Sequence, residues 1–463
     1  MLAPGRPVSR RRFLRQAAGG AGAMAGGLSW SQPAGDRPVP SEGVRVLLPR
    51  DRVPVGLIID DSTCLVNLNR FAMPQFDEAF GYANPAYHRD WREWPVEIPD
   101  RFVRTFAEWC ATEGVKGKYS VVPQPACVGR LDRGLPGWTR RELDESLDLL
   151  RTTLAPNWDF HPEMVTHTRV IDLRTGHPFP EVSLRTMENW EWTTGRSADE
   201  IAAYQAYALR ILKEVGLHCE GVTTPGGYGT RALPQLAEAS LQSVREVFGA
   251  EIPHYFRHLY DTGDESVAPR VELAAGLQGP DPRCVVSMIA CTGDWTGGWD
   301  NSEPEGADRF ITADGQAGRL VEVIGRGEPA MMLAHWTGFY FNGLHTGFHV
   351  FQEVVRRLKE HYDHLHWMKL SELSRYWAAR ELTTLTHQTG ALALHAPFSC
   401  PDLTLRWSAM PTGPLKLRRA GDVVPLREVS GPRLLERNTW CRNGPEMTAC
   451  LDLPRGRSRL EWE

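Results

Sequence analysis

The chain reads as an α/β protein, a distorted (β/α) barrel followed by a small C-terminal antiparallel β module. Three observations predict this. Short apolar runs bounded by turn residues alternate with amphipathic helical stretches from about residue 53 to about 380. Repeated β-then-α units argue for a parallel sheet, and a barrel is its simplest closure at this length. Beyond about residue 383 the pattern becomes apolar–polar alternation broken by Pro and Gly, the period of half-buried antiparallel strands.

The elements follow in order. Val53 to Ile59 is an apolar run ending in Asp60-Asp61, which reads as a fully buried strand. A helix is expected from Ile98 to Glu113, opened by Pro99-Asp100, and a strand from Gly117 to Val122. Thr139 with Glu142, and Ser197 with Glu200, have capping-box spacing and open helices reaching Leu154 and Val215. Between them Met164 to Ile171 reads as a strand. Cys284 to Ala290 and Ala330 to His335 are further strands, and Thr346 to His361 is a long helix. Trp367 to Leu370 closes the series and runs into a helix from Ser371 to Arg380. Ala391 to His395, Leu403 to Trp407 and Pro414 to Leu417 carry the later alternation. The expected division is a signal over residues 1–30, a Pro/Gly/Ser-rich linker over 31–50, the barrel over 51–382 and the β module over 383–463.

At 463 residues, 42% hydrophobic and 24% charged, the composition excludes a disordered chain and a membrane bundle. A formal net charge of -5 offers no general attraction to nucleic acid. Nine Cys occur without a C-x-x-C pair, so zinc-knuckle and thioredoxin-like sites are unsupported. Cys441 and Cys450 are candidates for one bridge outside a reducing compartment, and the other thiols are expected to be buried and free. Ser9-Arg10-Arg11-Arg12-Phe13-Leu14, followed by a mild small-residue stretch, has the pattern of a twin-arginine export signal. The expected location is therefore periplasmic or extracellular. That stretch is too short and Gly-rich for a stable membrane span. His345 and His349 have i, i+4 spacing but no H-E-x-x-H pattern, and read as a solvated helix face.

In a parallel barrel, reactive groups gather at the C-terminal ends of the strands. Four ends here carry them: Asp60-Asp61, Glu163 to Thr168 with His167, Cys291 to Trp295 with Asp294, and Leu333-Ala334-His335. With Thr223 to Gly229, their order resembles the NodB-type polysaccharide deacetylases, carbohydrate esterase family 4, over roughly residues 53 to 380. The resemblance implies a metal-assisted deacetylase of a polysaccharide or amino sugar. It makes Asp60 the base, Asp61 and His167 ligands to a divalent metal (zinc is expected), Asp294 a member of the catalytic set, and His335 the acid. Water activation by such an ion, with a carboxylate taking the proton, suits this chemistry. Three positions depart from the pattern. Ile171 replaces a second metal-binding His, Thr223 or Thr224 replaces an Arg that orients the base, and Cys291 replaces an Asp. Asp172, His161 or a water remain open as a third ligand. Trp295, Trp336 and Tyr228 are candidates for stacking on a sugar ring. Two other readings stand beside this one. The first is a metal-independent glycoside hydrolase using Asp60 or Asp61 with Asp294. The second is a non-catalytic carbohydrate-binding protein using Trp190, Trp192, Trp295, Trp299 and Trp336.

Overall fold

In the computed structural model, residues 37–39, 41–409 and 413–462 are described. The twin-arginine stretch lies outside them. The first strand, β1 (Val44–Val46), falls within the segment read as linker, yet it pairs antiparallel with a strand near the C-terminus, Val44 opposite Trp407.

The apolar run predicted to be a strand is β2 (Val53–Asp60), buried along its whole length. It is followed by β3 (Gly117–Ser120), β4 (Trp158–His161), a two-residue hairpin β5 and β6 (Ile171–Asp172, His177–Pro178), β7 (Gly221–Thr223), β8 (His254–Leu259), β9 (Arg270–Ala275), β10 (Arg283–Ala290), β11 (Ala330–His335) and β12 (Leu365–Trp367). One parallel sheet has the order β11-β2-β3-β4, with β12 also on β2. A second has the order β7-β8-β10-β9, in which only β9 runs antiparallel. At the two junctions Thr223 N–H donates to Pro162 O (3.0 Å) and Cys291 N–H to Met331 O (2.8 Å).

Helices cover these sheets as their sequences dictate. The helix Asp100–Glu113 follows Pro99, stops at the left-handed Gly114, and buries Phe102, Val103, Phe106, Ala107 and Cys110. Full burial of a residue such as Phe106 contributes about 2 kcal/mol. Both predicted capping boxes form, at Thr139 with Glu142 and at Ser197 with Glu200. The first of those helices is α-helical to Leu149 and continues as a π-turn to Leu154.

One predicted strand is absent. Met164 to Ile171 is loop as far as Val170, and the strand of this unit is β4, just upstream. Met164 and His167 adopt positive φ (54° and 63°), a conformation no strand accommodates.

The C-terminal part holds two five-stranded sheets. The strands are β13 (Thr384–Gln388), β14 (Ala391–Ala396), β15 (Cys400–Ser408), β16 (Lys416–Arg419), β17 (Asp422–Pro425), β18 (Arg427–Glu428), β19 (Thr439–Asn443), β20 (Glu446–Leu453) and β21 (Gly456–Glu461). Their orders are β1-β15-β20-β19-β18 and β13-β14-β21-β16-β17. Leu392, Leu394, Leu405, Trp407 and Leu460 share one buried cluster with Trp377, Ile58 and Met288 of the α/β part. Cys441 and Cys450 do not bridge. They sit buried as free thiols beside Val429 and Leu435. Cys441 lies opposite Thr448, and Cys450 opposite Thr439, across β19 and β20.

Candidate metal and acid–base site

Parallel strands deliver their C-terminal residues to one end of a sheet. Asp60 ends β2 and His335 ends β11, and the two are direct register partners. Asp61 follows Asp60 in a left-handed conformation (φ 59°), which turns its side chain away from the strand direction. Its N–H donates to Glu163 Oε2 (2.8 Å), and Asn69 Nδ2 donates to Asp61 Oδ2 (2.7 Å).

Asp61, Glu163 and His167 form a buried cluster whose donor atoms all lie within 4.8 Å of one another. His167 Nε2 is 2.9 Å from Asp61 Oδ1, and His167 Nδ1 is 3.5 Å from Glu163 Oε1. These are ion-pair distances without hydrogen-bond alignment. Asp61 Oδ1 and His167 Nδ1 have no hydrogen-bond partner among the described residues. Two carboxylates and one imidazole, with unpartnered buried atoms on Asp61 and His167, fit a divalent cation. The third donor is Glu163, neither of the side chains considered from sequence. Asp172 is engaged by Arg174 (3.0 Å). His161 Nε2 lies 2.9 Å from His254 Nε2 in the interior.

Charges dominate this cluster. Burial opposes ionisation of Asp61, but the neighbouring His167 and His335 outweigh it and hold the carboxyl well below the usual range. Burial and the nearby Asp60 push Glu163 up to about 7. His167 is raised to about 9, because Asp61 and Glu163 overcome the effect of burial.

The loop carrying Glu163 and His167 is held by Glu188, which the sequence reading missed. This fully buried carboxylate accepts from the N–H groups of Val165 (3.2 Å), Thr166 (3.1 Å) and His167 (2.6 Å), and from the Tyr204 hydroxyl. Burial lifts it to about 7.

Asp60 does not belong to the cluster. Its Oδ1 accepts from Lys118 Nζ, whose side chain is completely buried. Lys118 also donates to Ser120 Oγ (2.7 Å) and Ile59 O (3.2 Å). No Arg comes from the Thr223–Thr224 segment, and the cation arrives instead from the middle of β3. His335 Nδ1 lies 3.0 Å from Asp294 Oδ2, and Trp299 N–H donates to the same carboxylate (2.8 Å). Burial works against a charge on His335, but Asp294 and Asp61 raise it to about 10. Asp60, Asp61, His167, Asp294 and His335 thus form one connected set of charges.

The aromatic expectations need correction. Trp295, Trp336 and Tyr228 are 4%, 0% and 0% exposed and offer no ring face to a sugar. Trp336 packs on Phe102 and Phe106, and Tyr228 stacks on Trp192. The aromatic wall beside His167 consists of Phe76, Phe80, Tyr87, Trp190 and Trp299. An ion pair between Arg89 and Asp300 ties the Tyr87 and Trp299 loops together.

No family model matches the chain, and no curated protein matches it. Among solved structures it is similar to PuuE allantoinase (12% identity, 72% of this chain and 91% of that one, TM-score 0.38). It is also similar to the 4-α-glucanotransferase of Thermococcus litoralis (12% identity, 70% and 40%, TM-score 0.36). A third is an α-L-fucosidase (10% identity, 90% and 98%, TM-score 0.30).

Proposed function

We propose that this chain is an exported, carbohydrate-active hydrolase that removes acetyl groups from a polysaccharide or amino sugar with the help of a divalent metal. The observation that carries the reading is the buried Asp61–Glu163–His167 cluster beside an independently held base and acid. The two junction hydrogen bonds support closure of the parallel sheets into a distorted barrel, with these groups at its C-terminal rim.

Asp61, Glu163 and His167 would hold a divalent ion, which when bound would polarise a carbonyl and lower the pKa of water. Asp60 takes the proton of the attacking water. Lys118 and Ser120 fix its Oδ1, leaving Oδ2 for that proton. His335, kept protonated by Asp294, gives a proton to the departing nitrogen or oxygen. Trp190, Tyr87 and Trp299 supply an apolar wall for a sugar ring. Both contacts to Asp294, from His335 and from Trp299 N–H, fall on Oδ2, which supports its reading as the partner of that imidazole.

The test is acetate release from acetylated glycans by zinc-loaded protein, with Asp60→Asn alongside. Acetate release that ceases on chelation, and a variant that keeps metal without turnover, support the reading. Glycosidic cleavage by metal-free protein overturns it. Export is tested separately by replacing Arg10 and Arg11 with Lys, which should retain the protein in the cytoplasm.

A further inference from the structure

The outer face of the β13-β14-β21-β16-β17 sheet is basic in a way that strand geometry makes explicit. Successive residues on a strand point to opposite faces. On β16, Lys416 and Arg418 are exposed on either side of buried Leu417. On β21, Arg457 and Arg459 are exposed and alternate with buried Ser458 and Leu460. The register places Arg418 directly opposite Arg459, and Arg457 opposite His395. Thr384 and Thr386 of β13 continue the same two rows. Among these outward positions Glu461 is the one carboxylate. It is shared between Arg418 (3.2 Å) and Arg459 (3.6 Å).

Like charges directly opposite one another destabilise a sheet. Glu461 stands directly opposite Lys416 and offsets only part of this positive charge, and Arg457 has no ion-pair partner among the described residues. Apart from the His395 imidazole no aromatic ring projects from these positions, so the face lacks the Trp or Tyr plate on which a neutral sugar stacks. It offers instead several guanidinium forks, which match carboxylate geometry. Their backbone positions are spaced about 4.8 Å apart across strands and about 7 Å along them.

We propose that this face binds an acidic polysaccharide, a polymer with a carboxylate on successive sugars. The inference rests on the carbohydrate reading above and names the chemistry of the polymer to be held. The surface lies on the C-terminal sheets, so it grips the chain independently of turnover.

The experiment measures binding of the full-length protein carrying Asp61→Ala, so that catalysis plays no part. The probes are polygalacturonate, neutral dextran and single-stranded poly-dT. Polygalacturonate should bind at low salt, weaken as salt screens the pairs, and bind about tenfold more weakly to the Arg418→Gln/Arg457→Gln/Arg459→Gln protein. Dextran should not bind. A thermal midpoint equal to that of the parent shows that the triple variant is folded. A second variant, Lys416→Gln/Arg457→Gln, provides the same reading if the triple variant is not. Equal polygalacturonate binding by parent and folded variant overturns the proposal, as does no binding at low salt. Tighter binding of poly-dT through the same arginines also overturns it. If binding behaves as expected while the unmutated enzyme releases no acetate, the acidic-glycan face stands and the deacetylase reading falls.

Discussion

Asp60 and His335 end neighbouring parallel strands at the same level, yet each is held by a different counter-charge. Lys118 holds Asp60, and Asp294 holds His335. The two groups therefore face different charges although only one sheet hydrogen-bonding distance separates their backbones. A carboxylate and an imidazole so close and so differently paired suit the division of roles proposed above.

The first prediction concerns pH. In metal-free protein, His335 has its proton affinity raised from 6.5 to about 10. The folded state therefore binds this proton more tightly than the unfolded chain. The resulting stability is complete below about 6.5 and is lost as pH climbs through about 10. Thermal midpoints of wild type and His335→Gln should lie far apart at pH 6 and converge on the alkaline side. A gap that stays constant across this range would refute the Asp294–His335 pairing.

The second concerns the metal. Zinc content after dialysis should fall as far in Glu163→Ala as in His167→Ala, because both supply donor atoms to the cluster. Asn69→Ala should retain zinc but bind it about 10–100-fold more weakly, as expected for a partner that orients a ligand. Full stoichiometry in Glu163→Ala, measured by elemental analysis, would remove Glu163 from the ligand set.

The third concerns the buried ion pair. Lys118→Met removes the cation beside Asp60 in the interior, at a cost of about 3–5 kcal/mol. Adding Asp60→Asn should recover much of that loss. Urea unfolding of the two single variants and the double variant measures the coupling, and strict additivity would show that the pair does not interact.

The fourth concerns Glu188. Glu188→Ala strands three backbone N–H groups of the ligand loop, with a penalty of about 1–3 kcal/mol for each group left unsatisfied. Zinc affinity should drop about 10–100-fold. Glu188→Gln keeps an acceptor oxygen and should restore most of the affinity, a rescue that simple loss of packing does not give. Equal zinc affinity in wild type and Glu188→Ala would sink the idea.

Much of this was legible in the sequence. The Asp60-Asp61 strand end, both capping boxes and the strand ending at His335 follow from apolar periodicity and cap chemistry, which are local. The failures are non-local. Met164 to Ile171 has a strand's composition, but three of its N–H groups go to Glu188, which lies in a segment with no periodic pattern to mark it. Nothing local in the Gly117–Val122 run marks Lys118 as a partner of Asp60, and only packing shows that it is buried against that carboxylate. Glu163 was visible as a residue but not as a donor, because its place beside Asp61 depends on two left-handed turns, at Asp61 and Met164. The helix Leu68–Ala79, which supplies Asn69 and Phe76, escaped notice because it contains Pro74 and has no side-chain cap.

The pairing of Val44–Val46 with β15 has a consequence for biosynthesis. A ribosome releases the chain from its N-terminal end, so β1 emerges long before the strand it must join. Until the last sheets are made, its backbone groups have only water to bond, and Trp407 cannot cover Val44. The α/β part can gather its local contacts during elongation. The finished body, however, becomes available only once translation of β15 and β20 is complete. A chain stalled or truncated near residue 383 would expose the apolar surface around Trp377 and present a loose edge strand to its neighbours.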